Sequence, residues 1–421
     1  MDGHGSAAGR GGRRGRAMHL PPICNQSLTS AGYFGFFPCA EGLQRMPHAS
    51  AIVVGAGMLG LALARALTLR GRRVVVFERH ERAVGASLRN TGAVTPLAVA
   101  DAREREQARR SRAVWREFCD AADVWHDPCG SLVPAYDADE WALLQEHAAA
   151  ADDGELLDAA AARRRCAWIG PRGLRGAWFS ADDLLIDPRV ALRRLPDWLA
   201  ERHEIEFRWK HVVTRIDYPY VWSGGRRHAA EQIWLAGGTD TAALLPESAQ
   251  TRQPVSRPRL LLRLAAQNDG FRLGSLVSNV AALALGAAAA RPSAPRLRER
   301  TGAEGGVPDL RLLQSGSGEL LVDAAFAADH DDATAAQRRA LETVRRLVEL
   351  PDCRIQQAWT LPSLAGADAG AAIDVLPGVT AVAAPGPAGL GLTTAFAFAE
   401  DVVAGAMRAR PADAELSARR A

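Results

Sequence analysis

Ala51-Ile-Val-Val-Gly-Ala-Gly-Met-Leu-Gly60, followed by a helix and then Arg72-Arg-Val-Val-Val-Phe-Glu-Arg79, decides the fold of this chain. Its pattern is strand, glycine turn, helix, second strand and acid. Gly55 allows a sharp exit from the strand, Gly57 lets backbone approach a pyrophosphate, and Gly60 lets the helix pack closely on the sheet. The helix opening at Met58 and Leu59 directs its free N–H groups and positive dipole end at the same place. Arg70-Gly71 ends it. Glu78 follows Gly57 by 21 residues, the distance at which a carboxylate can accept hydrogen bonds from a ribose. The stretch therefore predicts a site for the ADP half of a dinucleotide.

Composition sets bounds around that site. The chain has 421 residues and 48% hydrophobic side chains, enough for a nucleotide domain and a second domain. The Ala-rich run 280–290 is about half the roughly 20 residues of a membrane span, so none is expected. The net charge of +3 is matched by residues 1–47 alone, where Arg10, Arg13, Arg14, Arg16 and Arg45 face only Asp2 and Glu41. The remainder is neutral, which argues against a nucleic-acid or anionic-membrane surface. Six cysteines lack Cys-x-x-Cys or metal-ligand spacing, so no metal is expected and the thiols suit a reducing, cytoplasmic compartment. Lys210 is the only lysine, which nearly excludes a lysine base.

Further patterns extend the reading along the chain. Residues 1–47 are Gly/Arg/Ala-rich, then aromatic without periodicity, and read as a disordered extension upstream of a start at Met46. Gly85-Ala-Ser-Leu-Arg-Asn-Thr-Gly92 is a donor-rich loop. A helix is expected over 97–122, with Ala113, Val114 and Phe118 on its apolar side and Trp115 at the margin. Another starts at Asp187-Pro188, with Pro196 kinking or interrupting it. Gln232-Ile-Trp-Leu-Ala-Gly-Gly238 reads as a second strand–glycine junction, 310–322 as a hairpin, and 333–350 as an amphipathic helix. The predicted fold is α/β: a doubly wound, Rossmann-like domain from segments 48–127, 175–250 and 352–410, with an α+β substrate domain from 128–174 and 251–351 inserted, and a tail at 411–421.

Four features together resemble the FAD-dependent D-amino-acid oxidase and glycine/sarcosine oxidase superfamily: Gly55-x-Gly57-x-x-Gly60 with Glu78-Arg79, the 85–90 loop, Leu235-Ala-Gly-Gly238, and Gly386-x-x-Gly389-x-Gly391-Leu-Thr393. The likeness spans about 50–408. Ala86-Ser-Leu-Arg-Asn90 and Leu350-Pro-Asp-Cys-Arg-Ile355 look most like a bacterial clade associated with phosphonate catabolism.

The resemblance implies FAD. Glu78 would bind the ribose and Arg79 would lie along the adenine. Ser87, Arg89 and Asn90 would meet the pyrophosphate and ribityl chain, and Val213 would meet the adenine. Gly237 would sit at the second junction, while Gly389, Leu390, Gly391, Leu392 and Thr393 would run beneath the flavin ring. It also implies oxidation of a small primary or secondary amine, an amino acid or aminophosphonate, by hydride transfer to flavin N5, with later hydrolysis of the imine. Catalytic residues stay unassigned. Candidates are Arg259 and Arg263, which alternate with Arg257 on one strand face and could clamp an anion, and Trp359, which could wall the pocket. Relatives with covalent flavin carry a cysteine near Thr360, absent here, so non-covalent FAD is expected. Many relatives place a lysine near flavin N5, and none is available here. The electron acceptor is therefore oxygen or another molecule, the latter making the protein a dehydrogenase; a degenerate FAD-binding homologue is a further alternative. The oligomeric state is left open.

Overall fold

Short apolar runs, buried on both faces, build the first sheet. The computed structural model describes residues 49–245, 255–268, 270–302, 306–326, 332–365, 372–383 and 391–409. The expected extension over 1–47, the tail 411–421, and Gly389 and Leu390 lie outside them.

The chain opens with β1 (Ala49–Val54), α1 (Met58–Thr68), β2 (Val74–Glu78), β3 (Ala93–Val94), α2 (Ala102–Ala121) and β4 (His126–Asp127). Next come β5 (Ser131–Ala135), α3 (Ala138–Ala148), β6 (Glu155–Asp158), α4 (Ala159–Arg165), β7 (Gly176–Ser180) and β8 (Leu184–Ile186). Then follow α5 (Pro188–His203), β9 (Glu206–Trp209), β10 (Val213–Asp217), β11 (Tyr220–Ser223), β12 (Arg226–Leu235) and β13 (Val255–Leu264). The last part holds β14 (Leu276–Ser278), α6 (Val280–Leu285), α7 (Ala294–Gly302), β15 (Asp309–Gln314), β16 (Leu320–Ala325) and α8 (Ala333–Leu347). It closes with β17 (Ile355–Ala365), β18 (Ala372–Leu376), β19 (Val379–Val382) and α9 (Gly391–Ala409).

Five strands pair in parallel in the order β9–β2–β1–β12–β19. Strand order reverses beside β1, and in such sheets ligands bind at the carboxyl ends of the strands around that point. Alternate side chains serve the two faces. Ala51, Val53, Val74, Val76 and Trp234 pack with α1, α5 and α9, while Ile52, Val54, Val75, Phe77, Ile233 and Leu235 fill the opposite layer with Val213 and Val221. Burial of both faces explains why these strands read as continuous apolar runs.

The second sheet runs β17–β13–β16–β15–β14–β5–β7–β6. Two of its strands, β7 and β17, fall in segments expected with the nucleotide sheet, yet they hydrogen-bond to β5 and β13. On one face Leu260, Leu262, Leu264, Leu310, Leu312 and Val322 pack against α8 through Ala336, Ala340, Val344 and Leu347. On the other, Leu276, Leu313, Leu321 and Trp359 meet Ala93 and Leu185, which belong to the small sheet β3–β8–β4.

Two helix expectations need correction. Helix α5 continues through Pro196 to His203. In α2, Trp115 is fully buried and Ala113 is exposed, because the indole packs edge-on against Phe118 and Phe396 and donates to the Leu392 carbonyl at 2.8 Å.

Candidate active site

The turn after β1 has the geometry its glycines require. Gly55 sits at φ +106°, and a side chain there would bring Cβ within 2.6 Å of the Ala236 carbonyl. A Cβ on Gly60 would overlap the Gly55 carbonyl oxygen, so α1 rests directly on the turn. Beside Gly57 a Cβ would meet only the Ser87 hydroxyl, at 3.6 Å, which leaves a cradle alongside the backbone. The two glycine junctions are adjacent, since Gly237 Cα lies 3.2 Å from the Cβ that Gly55 lacks. The switch point is thus built from Gly55, Gly57, Gly60 and Gly237 together.

Glu78 arrives at this turn from β2. Its carboxylate accepts from Ala56 N–H at 2.9 Å and from His80 N–H at 3.0 Å, which fixes it beside the glycines. The segment leading into β10 lies alongside, with His211 N–H donating to the Glu78 carbonyl. Val213 begins that strand, buried and paired with Ser223. Arg79 reaches across to the loop after β12, where its guanidinium pairs with Asp240 at 2.6 Å; both groups are about half exposed.

The 85–90 loop folds over the start of α1. Met58 is buried there, Leu59 and Gly60 continue the first turn, and the Ser87 hydroxyl accepts from Met58 N–H at 3.1 Å. No acid occupies that first turn. Backbone donors, a hydroxyl and a dipole end without a fixed anion match the chemistry of a pyrophosphate. Asn90 closes a local turn by accepting from Gly92 N–H. Arg89 is exposed, and its carbonyl accepts from the Trp359 indole N–H at 3.1 Å. Trp359, a candidate for the pocket wall, therefore joins the 85–90 loop to the second sheet.

The last helix meets this region from the far end of the chain. Gly391 starts α9, Leu392 is buried against Trp115, and the fully buried Thr393 hydroxyl accepts from Thr95 N–H at 3.1 Å. Along α9, Phe396 packs with α1 residues and Glu400 pairs with Arg65 at 2.6 Å. Residues 55–60 and 391–393 are thus carried by two helices that share one core.

The arginine reading of the substrate face needs correction. Arg259 is 1% exposed, and its guanidinium is bound by Asp323 at 2.6 Å and Asp309 at 3.3 Å. Arg311 also pairs with Asp309, at 3.4 Å. Despite the cost of burial, Arg311 and Arg259 hold the Asp309 carboxyl below the usual carboxylate range. A guanidinium neutralised by two buried carboxylates braces three strands and is not free to clamp a substrate anion. Arg263, half-buried, pairs with Glu319 at 3.4 Å. The side chain of Arg257 lies outside the described residues. Sequence reading missed the buried polar group formed by Thr95, Asp183 and Arg311. Its one sequence signal is an acid, Asp183, immediately before the apolar strand Leu184–Ile186.

No group of three His, Cys, Asp or Glu among the described residues is arranged to hold a metal, and no described helix is long and apolar enough to cross a membrane.

The chain is 29% identical over 244 residues to a tRNA 5-methylaminomethyl-2-thiouridine biosynthesis bifunctional protein of Ralstonia nicotianae; the match covers 53% of this chain and spans about a third (36%) of that protein. Its fold is similar to glycine oxidase from Bacillus cereus (TM-score 0.63, 14% identity, covering 85% of this chain and 97% of that one). It is also similar to L-proline dehydrogenase from P. horikoshii (0.64, 14%, 85% and 94%). L-α-glycerophosphate oxidase from Mycoplasma pneumoniae, solved with FAD bound, gives 0.63 at 16% identity, covering 85% and 94%. The model of the FAD-dependent oxidoreductase family known as DAO matches residues 50–404, and the chain belongs to that family of enzymes, with FAD as its cofactor.

Proposed function

We propose that this enzyme oxidises the C–N bond of a small primary or secondary amine, an amino acid or an aminophosphonate, and that it holds FAD without a covalent bond. Bound FAD supplies the hydride acceptor. The single observation that carries the cofactor placement is the meeting of the Gly55–Gly60 turn, the Ser87–Asn90 loop and Gly391–Thr393 around α1 and α9. Glu78 and the backbone of Gly57, Leu59 and Gly60 hold the ADP half, with Arg79, Val213 and Gly237 along its sides. Ser87, Arg89 and Asn90 meet the pyrophosphate and ribityl chain. Gly391, Leu392 and Thr393 form the support of the flavin ring at the N-terminus of α9, where the helix dipole favours the negative charge of the reduced cofactor. The substrate sits between this support and the Trp359 face of the second sheet, and Trp359 excludes water on one side.

Support for an amine comes from the names of the similar proteins, glycine oxidase, proline dehydrogenase and a biosynthetic protein for a methylaminomethyl group. The small amine, and no nucleic acid, is the partner in this reading. A second reading concerns the electron acceptor. Lys210, the only lysine, is 73% exposed and pairs with Glu81 on the surface, which favours an acceptor other than oxygen. Four free cysteines among the described residues support a reducing, cytoplasmic setting.

The decisive experiment is the visible spectrum of the purified protein, followed by anaerobic titration with amines, amino acids, aminophosphonates and, as a control, glycerol phosphate. Bleaching by one nitrogen compound is expected. Bleaching by the glycerol phosphate alone would overturn the amine reading. Hydrogen peroxide on re-aeration would assign oxygen as the acceptor.

A further inference from the structure

The 85–90 loop lies between β2 and β3 and belongs to neither strand. Its internal bonds are short turns, from Arg89 N–H to the Ala86 carbonyl and from Gly92 N–H to the Asn90 side chain. At its entry a Cβ on Gly85 would meet nothing within 4 Å, so no neighbour crowds the chain there. Its exit is clamped, since Ile186 N–H donates to the Gly92 carbonyl at 3.0 Å and a Cβ on Gly92 would overlap the Ile186 oxygen. A segment held by turn bonds, with one open end, shifts locally at little cost.

Contacts from distant segments set where the loop rests. Met58 N–H, in the first turn of α1, donates to the Ser87 hydroxyl at 3.1 Å. Two residues further on, the Arg89 carbonyl accepts from the Trp359 indole N–H, also at 3.1 Å. Leu88, between these two points, packs against the core that α1 and α9 share.

Trp359 is built to serve as the fixed end of that bond. Its strand, β17, pairs with β13 along its length, with Trp359 opposite Leu261. The half-buried ring packs with Leu276, Leu313 and Leu321 of the second sheet and with Ala93 and Leu185 of the small sheet. An indole has an apolar body and a single donor. Once two sheets hold the body, the N–H has one direction to point, and it points at the Arg89 carbonyl.

We propose that Trp359 is a positioning residue for the cofactor: its indole N–H holds the 85–90 loop where Ser87 closes on the first turn of α1, and so slows the release of FAD. The inference rests on the reading that this loop meets the pyrophosphate and ribityl chain. The role differs from that of a pocket wall. A wall acts on the substrate, whereas this bond acts on FAD before any substrate is present.

The test follows FAD release from the holoenzyme, by the return of free flavin fluorescence on dilution. It compares wild type, Trp359→Phe, Ser87→Ala, and a protein with benzothienylalanine at position 359, which keeps the ring shape and replaces the N–H by sulfur. Both changes at 359 are expected to speed release about three- to tenfold, the worth of one neutral hydrogen bond. The sulfur isostere should leave the melting temperature of the FAD-free protein nearly unchanged, and it serves alone if Trp359→Phe does not fold. Faster release from Trp359→Phe but not from the isostere assigns the effect to lost packing and overturns the proposal. A lowered melting temperature with release unchanged overturns it as well, leaving Trp359 a structural residue. Release unchanged by either change at 359 but accelerated by Ser87→Ala overturns the Trp359 role and leaves the loop reading standing. Release unchanged in all the variants places the failure in the reading of the loop itself.

Discussion

The two large sheets handle their polar side chains in opposite ways. In the first, Glu78 stands at a strand end, where β2 delivers it to the mouth of the glycine turn. In the second, Arg259 stands inside a strand, where β15 and β16 supply Asp309 and Asp323 to neutralise it. A charged residue at the carboxyl end of a switch-point strand has open space ahead of it. One in mid-strand has neighbours on both sides, and those neighbours decide whether its charge faces a cavity or a counter-charge.

Breaking that contrast begins with the largest effect. Arg259→Leu leaves buried Asp323 without its arginine and Asp309 with Arg311 alone, and is expected to cost about 3–5 kcal/mol of stability, read by denaturant unfolding; a change under 1 kcal/mol would return Arg259 to the list of substrate-binding candidates. Gly60→Ala forces a methyl onto the Gly55 carbonyl, so a loss of about 1–3 kcal/mol is expected, with absorbance at the flavin bands showing little FAD retained. Glu78→Gln should leave the melting temperature nearly unchanged and weaken FAD by about 1.5–3 kcal/mol, the worth of hydrogen bonds to a charged group, measured by fluorescence titration. Ser87→Ala removes the acceptor of Met58 N–H, and a loss near 1 kcal/mol in FAD affinity or helix stability is expected.

The pH dependence sharpens the same contrast with the smallest effect. Asp309, held low by Arg311 and Arg259, contributes stability that is present above the ordinary carboxylate range and lost as pH falls below about 4. Asp183, raised by burial, works in the other direction, since folded protein binds the extra proton and stability declines as pH rises from about 4 towards 7. Asp309→Asn should flatten the acid limb of a stability–pH curve and Asp183→Asn the neutral one. Unfolding curves collected at five or six pH values would show whether the two limbs separate.

Much of the architecture was legible because backbone sterics act locally. A strand, three glycines at fixed spacing and an acid 21 residues on specify a turn that only glycine can make, whatever lies elsewhere in the chain. The hairpin over 309–325 was legible for the same reason, through its Gly316 and Gly318 turn. What stayed hidden depends on pairing between distant segments. Sequence placed Trp115 at the edge of a helix stripe, and only α9, nearly 280 residues away, turned it into the centre. Pro196 looked like a helix break, yet Leu195, Trp198 and Leu199 are buried against α1 and the sheet, and tertiary packing outweighed the proline. Composition and local spacing thus determined that this chain folds around a dinucleotide. Which arginine is a brace, which acid sits buried, and how 391–393 reach the turn at 95 were decided by strand register and helix packing, because a counter-charge or a buried cavity exists only once separate segments meet.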